Sequence, residues 1–277
     1  MATLSSNELL AFRLLLTFVA MGTWVSVIAM ATERWGGKLG GFLVGIPSTS
    51  AFSLFFTGLY VSPSAAVSAT DSFPVFMSLT GVFLLCFGLT ARKSFRAGLA
   101  ASISVWFALS FLVVLINVNE FIISLVVSAL ISVAIYVGFR IWRTPVMRSR
   151  SKTRVSGSLL VLRFVFGGAV VTIAVFMSQI GIPILSGMFA AFPALTISTL
   201  IAIQMNGKTR GTEHARGIAF PIMVSIMLLC IPYSIAVHYL YPSLGLVTGT
   251  VIAFAMVIAI GIPYYLFVEE RLVPSTG

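Results

Sequence analysis

Residues 97–117 read AGLAASISVWFALSFLVVLIN, 21 residues without a charged side chain. As an α-helix such a run is about 32 Å long at 1.5 Å per residue, the thickness of a bilayer's hydrocarbon core. Arg92, Lys93 and Arg96 stand before it, while the segment after it, 118–120, has no basic residue. Both features recur along the chain. Apolar runs predict nine spans, at roughly 9–31, 39–61, 73–91, 97–117, 121–139, 157–179, 184–205, 218–240 and 244–267. The 277 residues are 59% hydrophobic and only 9% charged, against about a quarter charged in a soluble domain. Too few charges remain to cover a water-exposed surface. A soluble enzyme, a secreted disulfide scaffold and a disordered chain are therefore excluded. The fold class expected is all-α, a polytopic membrane protein.

Charge sets the expected orientation. With the N-terminus outside, the inner segments are 32–38, 92–96, 140–156, 206–217 and the C-terminal tail, which together hold 15 of the 17 Lys and Arg. The outer loops 62–72, 118–120, 180–183 and 241–243 hold none. Basic residues collect on the cytoplasmic side of membrane proteins, so the expectation is a cell-membrane protein with a cytoplasmic C-terminus. The same placement accounts for the net charge of +10 without a nucleic-acid partner. The first run, Leu9–Ala31, is too long for a signal peptide and lacks a basic flank. Cys86 and Cys230 both lie inside apolar runs and read as small buried hydrophobes.

An internal repeat organises the spans. Gly41-Phe-Leu-Val-Gly-Ile-Pro47-Ser48 aligns with Gly187-Met-Phe-Ala-Ala-Phe-Pro193-Ala194, an offset of 146. Phe73–Ser78 aligns with Phe220–Ser225, and Gly98-Leu99 with Gly245-Leu246, both at 147. Arg13 aligns with Arg163 at 150. The expected layout is 4+1+4: a first four-helix unit over 1–118, a linker helix and basic loop over 119–156, and a second unit over 157–277. One extra helix between two four-helix units inverts the second, a plan found in secondary transporters. The four-helix plan and the Gly-x5-Pro stretches, Gly41 to Pro47 and Gly187 to Pro193, resemble GlpM-like small membrane proteins, here as two fused copies. The resemblance covers both units but not the linker helix. It implies no activity, since that family has no well-defined one.

Candidate site residues follow from the repeat. Pro47 and Pro193 lie near the middle of the second and seventh runs. Proline lacks an N–H and clashes with the preceding turn, so the carbonyls of Leu43 and Phe189 should lose their helical partners. Ser48, Thr49 and Ser50 follow the first proline, and Thr196, Ser198 and Thr199 the second. A break at each would set half-helix ends and hydroxyls at midplane, able to bind an anion at the amide end or a desolvated cation at the carbonyl end. The plainer reading of each proline is a kink. Arg13 and Arg163 are the two basic residues inside the runs. Each either snorkels to the headgroups or attracts an anion, since guanidinium binds phosphate and carboxylate bidentately.

The seven acidic residues, Glu8, Glu33, Asp71, Glu120, Glu213, Glu269 and Glu270, avoid all span centres. Proton coupling would have to use Asp71, Glu120 or His238 at the outer mouth. Gly36-Gly37-Lys38-Leu39-Gly40-Gly41 lacks the spacing of a P-loop. The residues offer no catalytic set, metal cluster or cofactor motif, so an enzyme is not expected. The function expected is a membrane transporter or facilitator, secondary in type, moving a small, preferably anionic, solute by alternating access. Its substrate-binding residues would be Arg13, Pro47, Ser48, Thr49, Arg163, Pro193, Thr196 and Thr199. The alternatives are a flippase for an anionic lipid carrier, each arginine holding a headgroup, and a non-transporting membrane scaffold or accessory subunit. The expected partners are that anionic solute or lipid headgroup and the bilayer, and a homo-oligomer is compatible with the sequence.

Overall fold

The computed structural model describes residues 6–35, 46–92, 94–142, 157–206 and 211–264. The regular elements among them are all α-helices: α1 (Ser6–Trp35), α2 (Ser48–Tyr60), α3 (Pro63–Thr70), α4 (Phe73–Thr90), α5 (Phe95–Ile116), α6 (Phe121–Ile141), α7 (Gly157–Gln179), α8 (Pro183–Ala190), α9 (Ala194–Asn206), α10 (Gly211–Gly217), α11 (Ala219–Leu244) and α12 (Leu246–Pro263). Eight stretches of the described residues are helical, long and apolar enough to cross a membrane, the make-up of a multi-pass membrane protein.

The eight differ from the nine expected at the second run. Of 39–61, residues 39–45 lie outside the described residues, and the helix that follows, α2, is 13 residues long. The expected span 184–205 is two helices, α8 and α9, interrupted at 191–193. The expected span 218–240 runs on to Leu244, so the loop 241–243 is helix, and the chain reverses at Gly245, whose φ of 78° suits glycine.

Two expected loops also contain helix. Within 62–72 lies α3, where Ser62 Oγ accepts from the Ala65 N–H at 3.0 Å and Pro63 occupies the first turn. That is a sequence-encoded helix start. Its Ala66 and Ala69, three residues apart, are fully buried, and α3 packs on α8 and α11. Within 206–217 lies α10, which packs on α9, with smaller contacts to α4 and α11. The order half-helix, short helix, long helix, long helix therefore occurs twice, as α2–α5 and as α9–α12.

The core is built around α4, which packs on α5, α6 and α11. Its Phe73, Phe76, Phe83 and Phe87 are fully buried with Trp106 of α5. Of the residues of α4, 72% are buried inside the protein, against 17% for α5, although both helices are strongly apolar. Hydropathy thus marks what can enter hydrocarbon, not what faces protein. A second seam joins α1 to α7. A Cβ on Gly22 would sit 2.7 Å from the Phe164 ring, and one on Gly168 would sit 2.7 Å from the Phe18 carbonyl oxygen. Glycine at these positions lets the two helices close on each other, and Phe18 meets Phe164 edge-on at 5.6 Å.

Candidate functional site

Neither candidate proline lies inside a helix. Pro47 is the N-cap of α2, and Pro193 immediately precedes α9. The local geometry at the two is the same. The Ser48 N–H donates to the Ile46 carbonyl at 2.7 Å, and the Ala194 N–H donates to the Phe192 carbonyl at 2.8 Å. Each is a three-residue turn with proline in its centre. The Pro47 dihedrals of −72° and 48° lie near the inverse γ-turn. The Pro47 and Pro193 carbonyls then accept from Ala51 and Ile197, both at 2.8 Å, and so begin the helices.

The consequence for the carbonyls differs from the expectation. That of Leu43 lies outside the described residues. That of Phe189 does not lose its partners, because the Phe192 N–H folds back onto it at 3.1 Å. The deficit moves one residue on. In a continuous helix the Ala190 carbonyl would accept from the Ala194 N–H, but that donor is taken by Phe192. The Ala190 carbonyl instead accepts from Ser50 Oγ at 3.1 Å, and the Ala191 carbonyl from Thr80 Oγ1 at 3.2 Å. The Ser50 bond joins the start of α2 to the end of α8, so the turns at Pro47 and Pro193, 146 residues apart in sequence, lie side by side.

The carbonyl end of the break is thus supplied with donors, while the amide end of α2 is not capped. Among the described residues no side chain caps α2, and the first-turn N–H groups of Thr49 and Ser50 have no acceptor within their own helix. Ser48, at 1% exposure, has a hydroxyl without a protein partner. Further along α2, Ser53 and Thr57 are fully buried, also with unpartnered hydroxyls. Thr49, Ser53 and Thr57 are spaced by four, so they share one face of α2. Across the break, Thr196 is buried, Thr199 half-buried, and Ser198 bonds back to the Leu195 carbonyl at 2.9 Å.

The arginines stand elsewhere. Arg13 Nη1 donates to the Tyr60 carbonyl at 3.2 Å, with its guanidinium 5.6 Å from the Tyr60 ring centre. Tyr60 ends α2, about 20 Å from Pro47 along a 13-residue helix. Arg13 therefore caps the carbonyl end of the half-helix whose amide end is in the break. Arg163 is buried on α7, beside the Phe164 that packs on Gly22.

Ser50 is among the hydroxyls that follow Pro47 in the sequence; Thr80, Ser53 and Thr57 extend that set. A lone hydroxyl residue in an apolar run is a visible signal, but nothing local tells that Thr80 of α4 will face α8.

A second polar assembly joins residues expected at the outer mouth. His238 Nδ1 of α11 lies 2.8 Å from Thr70 Oγ1 and 3.5 Å from Asp71 Oδ1. The His238 ring stacks on Phe121 at 3.8 Å and 5°. Burial, and then the charge of Glu120, raise the Asp71 carboxyl to about 6.

Against known proteins, the model of the family described as "Protein of unknown function (DUF3147)" matches residues 160–269. No curated protein and no solved structure matches the chain.

Proposed function

We propose that the chain is a secondary transporter that moves a small anionic solute, or an anionic headgroup, past the paired proline breaks by alternating access. One observation carries this reading. The breaks at Pro47 and Pro193 meet through the Ser50–Ala190 bond, and beside them an uncapped helix start adjoins the unpartnered Ser48 hydroxyl. In hydrocarbon, irregular backbone is tolerated only where it is buried in protein or lines a polar path. Donors are in surplus there, because both released carbonyls already accept hydroxyl bonds. A helix start of this kind attracts negative charge.

The recurring element order, the like turns at both prolines and a family match confined to residues 160–269 support two units in a 4+1+4 layout. The 15 basic residues in alternate loops support inversion of the second unit, with the N-terminus outside and the C-terminus in the cytoplasm of a cell-membrane protein. The reading assigns no enzymatic activity.

The test is uptake by the purified full chain in proteoliposomes, with radiolabelled inorganic phosphate, acetate and glycerol as probes. Faster entry of an anion than in protein-free vesicles is expected, reduced tenfold or more, roughly 1.4 kcal/mol in barrier, by Pro47→Ala with Pro193→Ala. If scrambling of a fluorescent phosphatidic acid is the only flux, the cargo is the lipid. Equal leak of all probes with and without protein overturns the reading in favour of a scaffold.

A further inference from the structure

We propose that Thr70, Asp71, Glu120 and His238 form a proton-binding site whose occupancy latches the α3–α4 turn to α11. The site goes beyond the transport reading and holds whatever the solute.

Donor accounting places the proton. The Thr70 hydroxyl has one hydrogen, and it points to the Val67 carbonyl at 2.6 Å. Its contact with His238 Nδ1 at 2.8 Å therefore needs a hydrogen on Nδ1. Nε2 is then the atom that gains or loses the titrating proton. With Nε2 protonated, the ring carries a positive charge 3.5 Å from the Asp71 carboxylate, and its face lies parallel to Phe121 at 3.8 Å. Both neighbours favour a cation. With Nε2 bare, Asp71 and Glu120 are two negative charges with no fixed cation beside them.

No other charge from the packed elements compensates. α2, α3, α4, α8 and α12 contain no charged residue, and α11 contains only His238. α5, which packs on α4, has Arg96 at its first turn, about 30 Å from its other end, and α7, which touches α3, has Arg163 about 24 Å before its C-terminal end. α6 has Arg140, close to its opposite end, and α10 with Glu213, His214 and Arg216 lies before the start of α11, about 30 Å from His238. The phenol of Tyr239 is the remaining titratable group beside the ring. The Asp71 carboxyl, raised to about 6 by burial and by Glu120, competes with Nε2 for the same proton, so the pair titrates as a unit. Among the described residues no group of three or more His, Cys, Asp or Glu could hold a metal ion.

The tie has a counterpart that does not titrate. The other short helix, α10, is held to the end of α4 by Arg216 Nε donating to the Gly88 carbonyl at 2.8 Å. A guanidinium keeps its charge at any ordinary pH. Each short helix is thus fastened to a long helix of the other unit near that helix's C-terminal end, and pH acts on one fastening alone.

The test reads opening directly and requires no transport. In the purified full chain with Cys86→Ala and Cys230→Ala, Ser72→Cys reports on the latched turn, where Ser72 is 1% exposed, and Ser64→Cys on an exposed position nearby. The ratio of their maleimide labelling rates is followed from pH 5.5 to 7.5. It should rise about tenfold or more as the proton leaves. His238→Gln, which keeps a donor for Thr70 but cannot titrate, should flatten the profile, as should Asp71→Asn. Two independent variants guard against one that misfolds, which elution as a single species detects. A flat ratio in the parent, or an unchanged slope in both variants, overturns the latch. Uptake in proteoliposomes that persists in either case leaves the transport reading standing, and absent uptake with an intact profile separates the two the other way.

Discussion

At the scale of single residues, the hydroxyls at the break are donors to carbonyls that helix geometry has orphaned. Removing Ser50 Oγ leaves the Ala190 carbonyl buried with no hydroxyl. Ser50→Ala should lower stability by about 1 kcal/mol, the order found for hydrogen bonds between membrane helices, and Ser50→Thr should recover most of it. Thermal unfolding of the purified protein measures both. Asp71 gives a pH dependence of definite sign. Its carboxyl, ordinarily near 3.8, is raised to about 6 by burial and by Glu120. Between those values the folded protein holds a proton that the unfolded chain has released. Stability therefore falls as pH rises from about 4 to about 6, and the cost is complete above that window. The melting temperature of Asp71→Asn should change less across the window than that of the parent.

At the scale of elements, the glycines decide which helices can approach. A Cβ at Gly187 would lie 2.5 Å from the Ala69 carbonyl oxygen, and one at Gly168 would lie 2.7 Å from that of Phe18. Backbone cannot step aside as a flexible side chain can. Gly187→Ala and Gly168→Ala should each cost about 1–3 kcal/mol by overpacking, whereas Gly157→Ala, with nothing within 4 Å, should be neutral or slightly stabilising. Parallel melting curves distinguish the three. The proline breaks behave oppositely. Pro193→Ala restores an N–H that the Phe189 carbonyl could accept, so it should leave stability unchanged or higher while reducing uptake.

For the whole molecule, the expected inversion has a direct check. Single cysteines at Ser64 and Thr209, equivalent segments of the two units, should differ in intact cells: an impermeant maleimide should label Ser64→Cys and spare Thr209→Cys. Labelling of both from outside would make the units parallel and remove the basis for alternating access. Much of this architecture is legible in the residues. The alignment of Pro47 with Pro193 is legible in the sequence, and both prolines centre the same three-residue turn. The short helix α3 was legible in Ser62-Pro63 but was obscured by the polar residues around it. The contact between the breaks was not legible, because Ser50 and Ala190 lie 140 residues apart and no local pattern encodes such a pairing.

What the sequence by itself determined is what each segment can tolerate. Twenty apolar residues in a row must enter hydrocarbon, basic segments must stay out of it, and each proline removes one backbone donor, whether the helix ends there, as before α2 and α9, or runs on, as at Pro232 and Pro242 of α11; each follows from the transfer or steric energy of nearby residues alone. The tertiary structure decided which apolar faces meet protein and which meet lipid. To an apolar side chain the two environments are nearly equivalent, so α5 lies largely on the protein's surface while α4 is buried, although both helices are strongly apolar. Close packing at glycine and the need of each orphaned polar group for a partner broke that tie, and with it set α2 against α8, where the candidate site lies.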